Sequence, residues 1–348
     1  ALGEMPITND FTVFRALKSE ILWRKGDFFN AETEGLNAID ICSENFPKVY
    51  YFLGEIAFSR KDYVNADFYL KKSIALGIAD PYYSDAINLY AKAKVLAEII
   101  ANPVQFNPEI VSGISTIFDE YLPIISPDQE LSFFTRRSDK SSFSSITNTS
   151  VEEFVSSRKV KGKFQEGQAL TYPFNMESNE GGSSITIDNK VLFFTICSKF
   201  SSSYNNCDIY YVEKEDSLWT DLKPLRSVNN PKSWESQPSV SADGNSLIFA
   251  SDRRGGYGGI DLYIVKKDEF GYWGVPQNMG EVINSNLNEK SPFFHIDGET
   301  MYFASQQFPS LGGYDIFISK RGENGKWKSP VNLGFPINTT NDELGMFV

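Results

Sequence analysis

Four segments of this chain repeat one another at nearly constant spacing, and a repeat of that length constrains the architecture more than any other feature. Ser126-Pro127-Asp128-Gln129-Glu130-Leu131-Ser132-Phe133-Phe134 aligns with Thr186-Ile187-Asp188-Asn189-Lys190-Val191-Leu192-Phe193-Phe194. Ser241-Ala242-Asp243-Gly244-Asn245-Ser246-Leu247-Ile248-Phe249 and His295-Ile296-Asp297-Gly298-Glu299-Thr300-Met301-Tyr302-Phe303 continue the series, with the aspartates 60, 55 and 54 residues apart. Eight residues before each aspartate stands Glu120, Glu180, Glu235 or Glu289. A second acidic residue opens another aromatic run at Glu153, Asp208, Asp261 and Asp315, and Phe164, Trp219, Trp273 and Trp327 close the units.

Short β-branched and aromatic runs between Asp-Gly, Asn-Asn and Gly-Gly turns predict strands. Each unit therefore reads as a four-stranded meander, and the Asp-Gly pairs suit type I′ hairpins. Such a sheet cannot bury both faces alone, so copies must stack. Radial stacking of four-stranded sheets is a β-propeller, with Trp and Phe at the recurring position as core between blades. Shifting Ile283, Asn284 and Glu289 by 54 residues reaches Ile337, Asn338 and Glu343, so Leu344 to Val348 is expected to be the first strand of a fifth repeat, incomplete here. The expectation is a piece of a longer protein, its whole ring six-bladed.

Residues 1–104 lack strand alternation. Glu20-Ile21-Leu22-Trp23-Arg24-Lys25-Gly26-Asp27-Phe28 returns 35 residues later as Glu55-Ile56-Ala57-Phe58-Ser59-Arg60-Lys61-Asp62-Tyr63, the period of a helical-hairpin array. A third helical stretch is expected from Asp80 as cap and Pro81 as first residue to about Ala101. The fold class is thus α + β multidomain: helical repeats over 1–104, then propeller blades over 105–348.

Leu53-Gly54, Ala57, Tyr63, Ala66, Leu70 and Ser73 resemble a tetratricopeptide repeat. The first copy departs from it, with Ser19 in the place of Gly54 and Gly35 in that of Leu70. The resemblance implies a concave face carrying Glu20, Arg24, Tyr51, Glu55 and Ser59 as a peptide-binding groove; an adaptor role packed on a neighbour competes with it. Asp243-Gly244, Phe249-Ala250-Ser251-Asp252-Arg253 and Asp261-Leu262-Tyr263 resemble the WD40-like, Pro-Asp type propeller repeat found in TolB and in periplasmic proteins of the OmpA family. The fourth unit replaces Asp252-Arg253 by Gln306-Gln307. The order of helical repeats then propeller resembles the Bacteroidetes OmpA-family proteins of the PorE type in type IX secretion. That resemblance implies a non-catalytic periplasmic scaffold associated with the outer membrane. It would bind protein partners of a secretion or envelope complex and, through an OmpA-like domain absent from this sequence, peptidoglycan.

A net charge of −12 argues against nucleic acid, whose binding depends on clustered Lys and Arg. No apolar run is long enough for a transmembrane helix. Cys42, Cys197 and Cys207 with one histidine are too few soft ligands for zinc, and Cys197 with Cys207 reads equally as a disulfide or two free thiols. His295 stands where the other units carry Ser or Thr, so a triad is not expected. Carboxylates that recur in every unit read as architecture. The Gly255-Gly256-Tyr257-Gly258-Gly259 loop precedes no helix, which disfavours phosphate binding. No catalytic residue, cofactor or metal is therefore expected. The alternative is a propeller-containing carbohydrate- or peptide-processing hydrolase, using acids such as Asp252 or Glu299, or a TolB-like accessory that binds peptide.

Overall fold

The computed structural model describes residues 7–140, 149–176, 179–201, 204–216 and 218–348. It is a mixed chain of five helices and extensive antiparallel sheet, in two compact units: 1–104 with 334–336, and 105–333 with 337–348.

The first unit holds α1 (Ile7–Arg24), α2 (Phe28–Ile41), α3 (Pro47–Ser59), α4 (Tyr63–Ala75) and α5 (Tyr83–Ala101). The 35-residue shift is visible at the caps: the Asp27 and Asp62 carboxylates accept from the backbone N–H of Asn30 and Asn65, which the first turn would otherwise leave unpaired. A Cβ on Gly54 would lie 2.6 Å from Leu70 Cγ, so that glycine lets α3 and α4 close up. In the first copy the sizes are exchanged: Ser19 donates to the Ala31 carbonyl at 2.7 Å, and Gly35 leaves room for Ser19, Val49 and Leu53. The substitutions that look irregular in sequence compensate one another. The fifth helix starts two residues later than Pro81, after Tyr82.

The second unit contains four meanders. In order they are β1 (Asp119–Ile125), β2 (Leu131–Lys140), β3 (Thr149–Val160), β4 (Lys163–Phe164) and β5 (Gln168–Ala169); β6 (Asn179–Ile185), β7 (Val191–Ser201), β8 (Tyr204–Glu215), β9 (Leu218–Trp219) and β10 (Lys223–Pro224); β11 (Glu235–Val240), β12 (Ser246–Ser251), β13 (Asp261–Lys266) and β14 (Gln277–Asn278); and β15 (Glu289–Phe294), β16 (Thr300–Ser305), β17 (Asp315–Lys320) and β18 (Val331–Asn332). The fourth strand of each meander is only two residues long. Parallel bridges tie β3 to β6, Glu152 to Asn179, and the residue before β13 to the one before β15, Ile260 to Asn288; the first of these merges two meanders into one sheet. Among the described residues, no strand pairing joins 343–348 back to β1, so the ladders do not close into a ring.

Alternation along the second strands sends neighbouring side chains to different cores. Phe193 packs with Val240 and Phe249, whereas Leu192 and Phe194 pack with Phe133, Phe154 and Phe174. Ile248 and Ala250 pack with Phe294, Met301 and Phe303. Each core thus lies between consecutive units, and every fully buried Phe contributes about 2–3 kcal/mol. The closing aromatics are half-buried rather than core. Trp273 meets Phe193 of the preceding unit edge-on at 5.9 Å, while Phe164, Trp219, Trp273 and Trp327 each carry a cation over the ring: Lys159, Lys214, Lys267 and Arg321.

The hairpin turns are also not type I′. Gly244 N–H donates to Ser241 O at 2.9 Å and, of the loop residues, only Gly244 has positive φ, +69°, a turn closed by one left-handed residue. The turn aspartates accept from a hydroxyl and a backbone N–H, as in Asp188 with Thr186 at 2.6 Å and Lys190 at 3.1 Å.

Candidate functional site

The first strands begin with the repeated glutamates, and each carboxylate accepts backbone N–H groups from the loop before it. Glu180 takes Asn175 and Met176 at 2.6 and 2.7 Å, and Glu289 takes the Ser285 N–H at 3.0 Å with hydroxyls of Ser285 and Ser305. Those loops are clasped in turn by an asparagine that the sequence reading aligned only at Asn284 and Asn338, without a role. Asn175, Asn229, Asn284 and Asn338 each bond both N–H and C=O of one third-strand residue, Phe154, Ile209, Leu262 and Ile316. Their spacing of 54–55 residues was available in the sequence, but isolated polar residues in loops draw less attention than aromatic runs.

Two residues past each glutamate the first strand bulges. Pairing slips between Tyr121 and Ile124, Gly181 and Ser184, Ser236 and Ser239, and Lys290 and Phe293. The residue at the slip has positive φ: Leu122 51°, Gly182 56°, Gln237 56° and Ser291 48°, with Gly345 at 88° in the equivalent place. For the three non-glycine residues this costs about 1–2 kcal/mol each. The N–H groups freed by the bulge are answered across units: Gly182 N donates to Thr135 Oγ1, Gln237 N to Thr195 Oγ1 and Ser291 N to Gln237 Oε1, at 3.2, 3.0 and 2.9 Å. Val240 N and Phe294 N donate to Ser184 Oγ and Ser239 Oγ at 2.9 and 2.8 Å.

Beyond the bulges the first strands and residues 345–348 enclose a cavity of about 580 Å³. Its wall is mostly apolar, with Leu122, Ile185, Val240, Phe293 and Phe347 among the contributors. Ser183 and Ser291 are among the lining residues, but their hydroxyl oxygens are buried away from the open space and, among the described residues, have no hydrogen-bond partner. A buried hydroxyl left unpaired costs about 1–3 kcal/mol. Among the described residues no acidic side chain lines it, and Lys159 is the basic one. Sequence reasoning missed this site because a one-residue slip decides which side chains face inward.

Other candidates resolve as architecture. His295 Nδ1 lies 3.1 Å from Asp297 in the fourth-unit turn. Asp252 accepts from Trp234 N–H at 2.7 Å, and Glu299 is exposed. The N–H groups of Tyr257 and Gly258, the feature a phosphate would need in the glycine loop, are taken by Asp261 at 2.6 and 2.9 Å. Asp315 takes Leu311 and Gly312 in the same way. Cys197 and Cys207 face one another on β7 and β8 and form a disulfide. Among the described residues there is no metal-holding cluster of His, Cys, Asp and Glu, and no helix is long and apolar enough to cross a membrane.

In the helical unit, Glu20 pairs with Arg24 at 2.7 Å, and Arg24 reaches the Tyr82 hydroxyl at 3.1 Å. Tyr51 is buried against Tyr82 and Phe52. Burial, with Glu55 and Asp85 nearby, pushes its phenol up to about 12. Burial also raises the Glu55 carboxyl, although Trp23 donates to it. These four residues gather around one aromatic cluster; Ser59 is exposed and donates to the Ile56 carbonyl.

No family model matches this chain, and no curated protein matches it. Solved structures do. TolB from Acinetobacter baumannii is 16% identical over 62% of this chain and 45% of its own, with a TM-score of 0.39. A puromycin-hydrolysing peptidase of Mycobacterium tuberculosis is 12% identical over 66% and 33%, with a TM-score of 0.41. An α-L-arabinofuranosidase of Clostridium thermocellum is 13% identical over 62% and 72%, with a TM-score of 0.37. The chain spans less than half the length of the first two. The expectation of a non-catalytic scaffold in a secretion machine is corrected by these matches, which include TolB and a peptidase. None of the three is an OmpA-family protein or a secretion component.

Proposed function

We propose that this chain is an accessory binding protein whose β unit receives an extended apolar peptide segment in the cavity framed by its first strands. One observation carries the reading: a mostly apolar cavity of about 580 Å³ framed by the first strands. A peptide offers apolar side chains to that wall. Within this proposal the meanders are propeller blades, the helical unit is a tetratricopeptide-type array presenting Glu20, Arg24, Tyr51 and Glu55, and partners are proteins. The disulfide suits an oxidising compartment such as the periplasm. Binding without chemistry is supported by the structural engagement of His295, Asp252 and the repeated carboxylates.

The test is fluorescence anisotropy with labelled apolar peptides, beside an Ala242→Trp variant that fills the cavity mouth from its partly exposed rim. Saturable binding weakened at least about tenfold by Ala242→Trp, at unchanged Tm, is the expected result. Binding indifferent to Ala242→Trp, or turnover of peptide or glycoside by the purified chain, would overturn the reading.

A further inference from the structure

The outer face of α1 is an apolar stripe left open to solvent. Phe14, Leu17 and Ile21 recur three and four residues apart on this helix and are 60%, 54% and 52% exposed. The 35-residue repeat shows what covers such a stripe. Its counterparts on α3, Val49, Phe52 and Ile56, are 2%, 1% and 2% exposed, because the preceding hairpin lies over them. Gly35 and Ala38 of α2 pack against Val49 and Leu53, a Cβ on Gly35 lying 3.2 Å from each, and Trp23 of α1 stacks on Phe52 at 4.4 Å.

The charges follow the same shift. Arg60, just past α3, pairs with Glu32 of α2. Its counterpart Lys25 is exposed and, among the described residues, pairs with no carboxylate. Lys18 replaces Leu53 and pairs with Glu34 at 2.7 Å, which gives the open stripe a polar border. In a repeat array each unit is stabilised by its neighbours, so a face shaped for a neighbour and left bare is an edge for docking.

We propose that α1 docks an amphipathic helix of a partner protein, laid across it as α2 lies on α3. The partner helix carries two small residues three apart, like Gly35 and Ala38, to receive Phe14, and an acidic residue three before the first, like Glu32, to meet Lys25. A second copy of this chain does not supply that helix, because Gly35 and Ala38 of its α2 and Ala66 of its α4 are already buried. The site is independent of the β-unit cavity.

The probe is a fluorescent peptide copying residues 27–41, N-acetylated and C-amidated, titrated into the whole chain and followed by anisotropy. Wild type should bind it saturably, and Leu17→Glu, a change at an exposed position that leaves Tm unaltered, should weaken binding at least about tenfold. Lys25→Glu should weaken it about threefold, and a Glu32→Lys peptide should recover that loss on Lys25→Glu while binding wild type less well. Absence of binding overturns the inference, as does binding indifferent to Leu17→Glu, the result expected if the peptide displaces α2 from α3. Failure of the charge swap to restore binding overturns the α2-like seating. A wild-type dimer in sedimentation velocity that Leu17→Glu dissolves overturns the partner helix in favour of a second copy.

Discussion

The third and fourth units are near copies that differ in the charges around one buried carboxylate. Both bury the first-strand glutamate completely, both satisfy it with a loop N–H and two hydroxyls, and burial raises both carboxyls above the usual range. In the third unit Arg253 adds a salt bridge at 3.1 Å; in the fourth, Gln307 stands there and the carboxylate has no cation. The comparison teaches that the donors, not the ion pair, define the unit. An arginine is an addition to a lattice that holds a buried carboxylate without it.

Arg253→Met is the most severe way to break this comparison. It also removes contacts over Phe249 and Tyr263 and leaves Glu235 as Glu289 already is. A loss of about 3 kcal/mol is expected in urea unfolding, the usual cost of removing one member of a buried pair. A loss under about 1 kcal/mol would mean that the two glutamates are equivalent.

Asp297→Asn addresses the turn the units share. Burial opposes ionisation of Asp297, but hydrogen bonds from Glu299, Thr300 and His295 outweigh it and hold the carboxyl at about 2. A depressed acid contributes stability that is complete above pH 4 and lost as pH falls through about 2. Because the side chain is partly solvated, Asp297→Asn should cost only about 1 kcal/mol at pH 7, the difference from wild type shrinking as pH falls toward 2.

Glu289→Gln has the smallest expected effect and the most telling sign. Its amide can keep accepting from Ser285 N–H while donating to hydroxyls that rotate to accept, so the change at pH 7 should be within about 0.5 kcal/mol of zero. A raised carboxyl contributes stability below its unfolded value of about 4.5 that is lost as pH rises through the folded value. The variant should therefore gain on wild type as pH rises from 4 to 7, and Glu235→Gln, whose carboxyl is raised as well, should move in the same direction from a lower starting point because its amide faces Arg253.

The repeat itself was legible because glutamate and turn aspartate keep one offset in all four units while the second acid and aromatic follow at nearly the same spacing, and the structure gives the glutamates and turn aspartates a hydrogen-bonding reason to do so. The cavity was not legible. Its wall depends on bulges at Leu122, Gln237 and Ser291, residues whose identity gives no sign of positive φ, and on hydroxyls whose use is decided one unit away. The cysteines show the same limit of spacing: the strand register that opposes Cys197 to Cys207 settles what ten residues of separation left open.

The joints formed by Ser184 with Val240 and by Ser239 with Phe294 have an evolutionary consequence. Acceptor and donor lie one period apart, on the outgoing side of one unit and the incoming side of the next. The third unit carries both halves of the coupling, Val240 as donor and Ser239 as acceptor, whereas the first and fourth carry Ile124 and Phe293 at the acceptor position. A gene that duplicates the third period therefore keeps the coupling intact, while an insertion after a copy of the first or fourth would meet no hydroxyl.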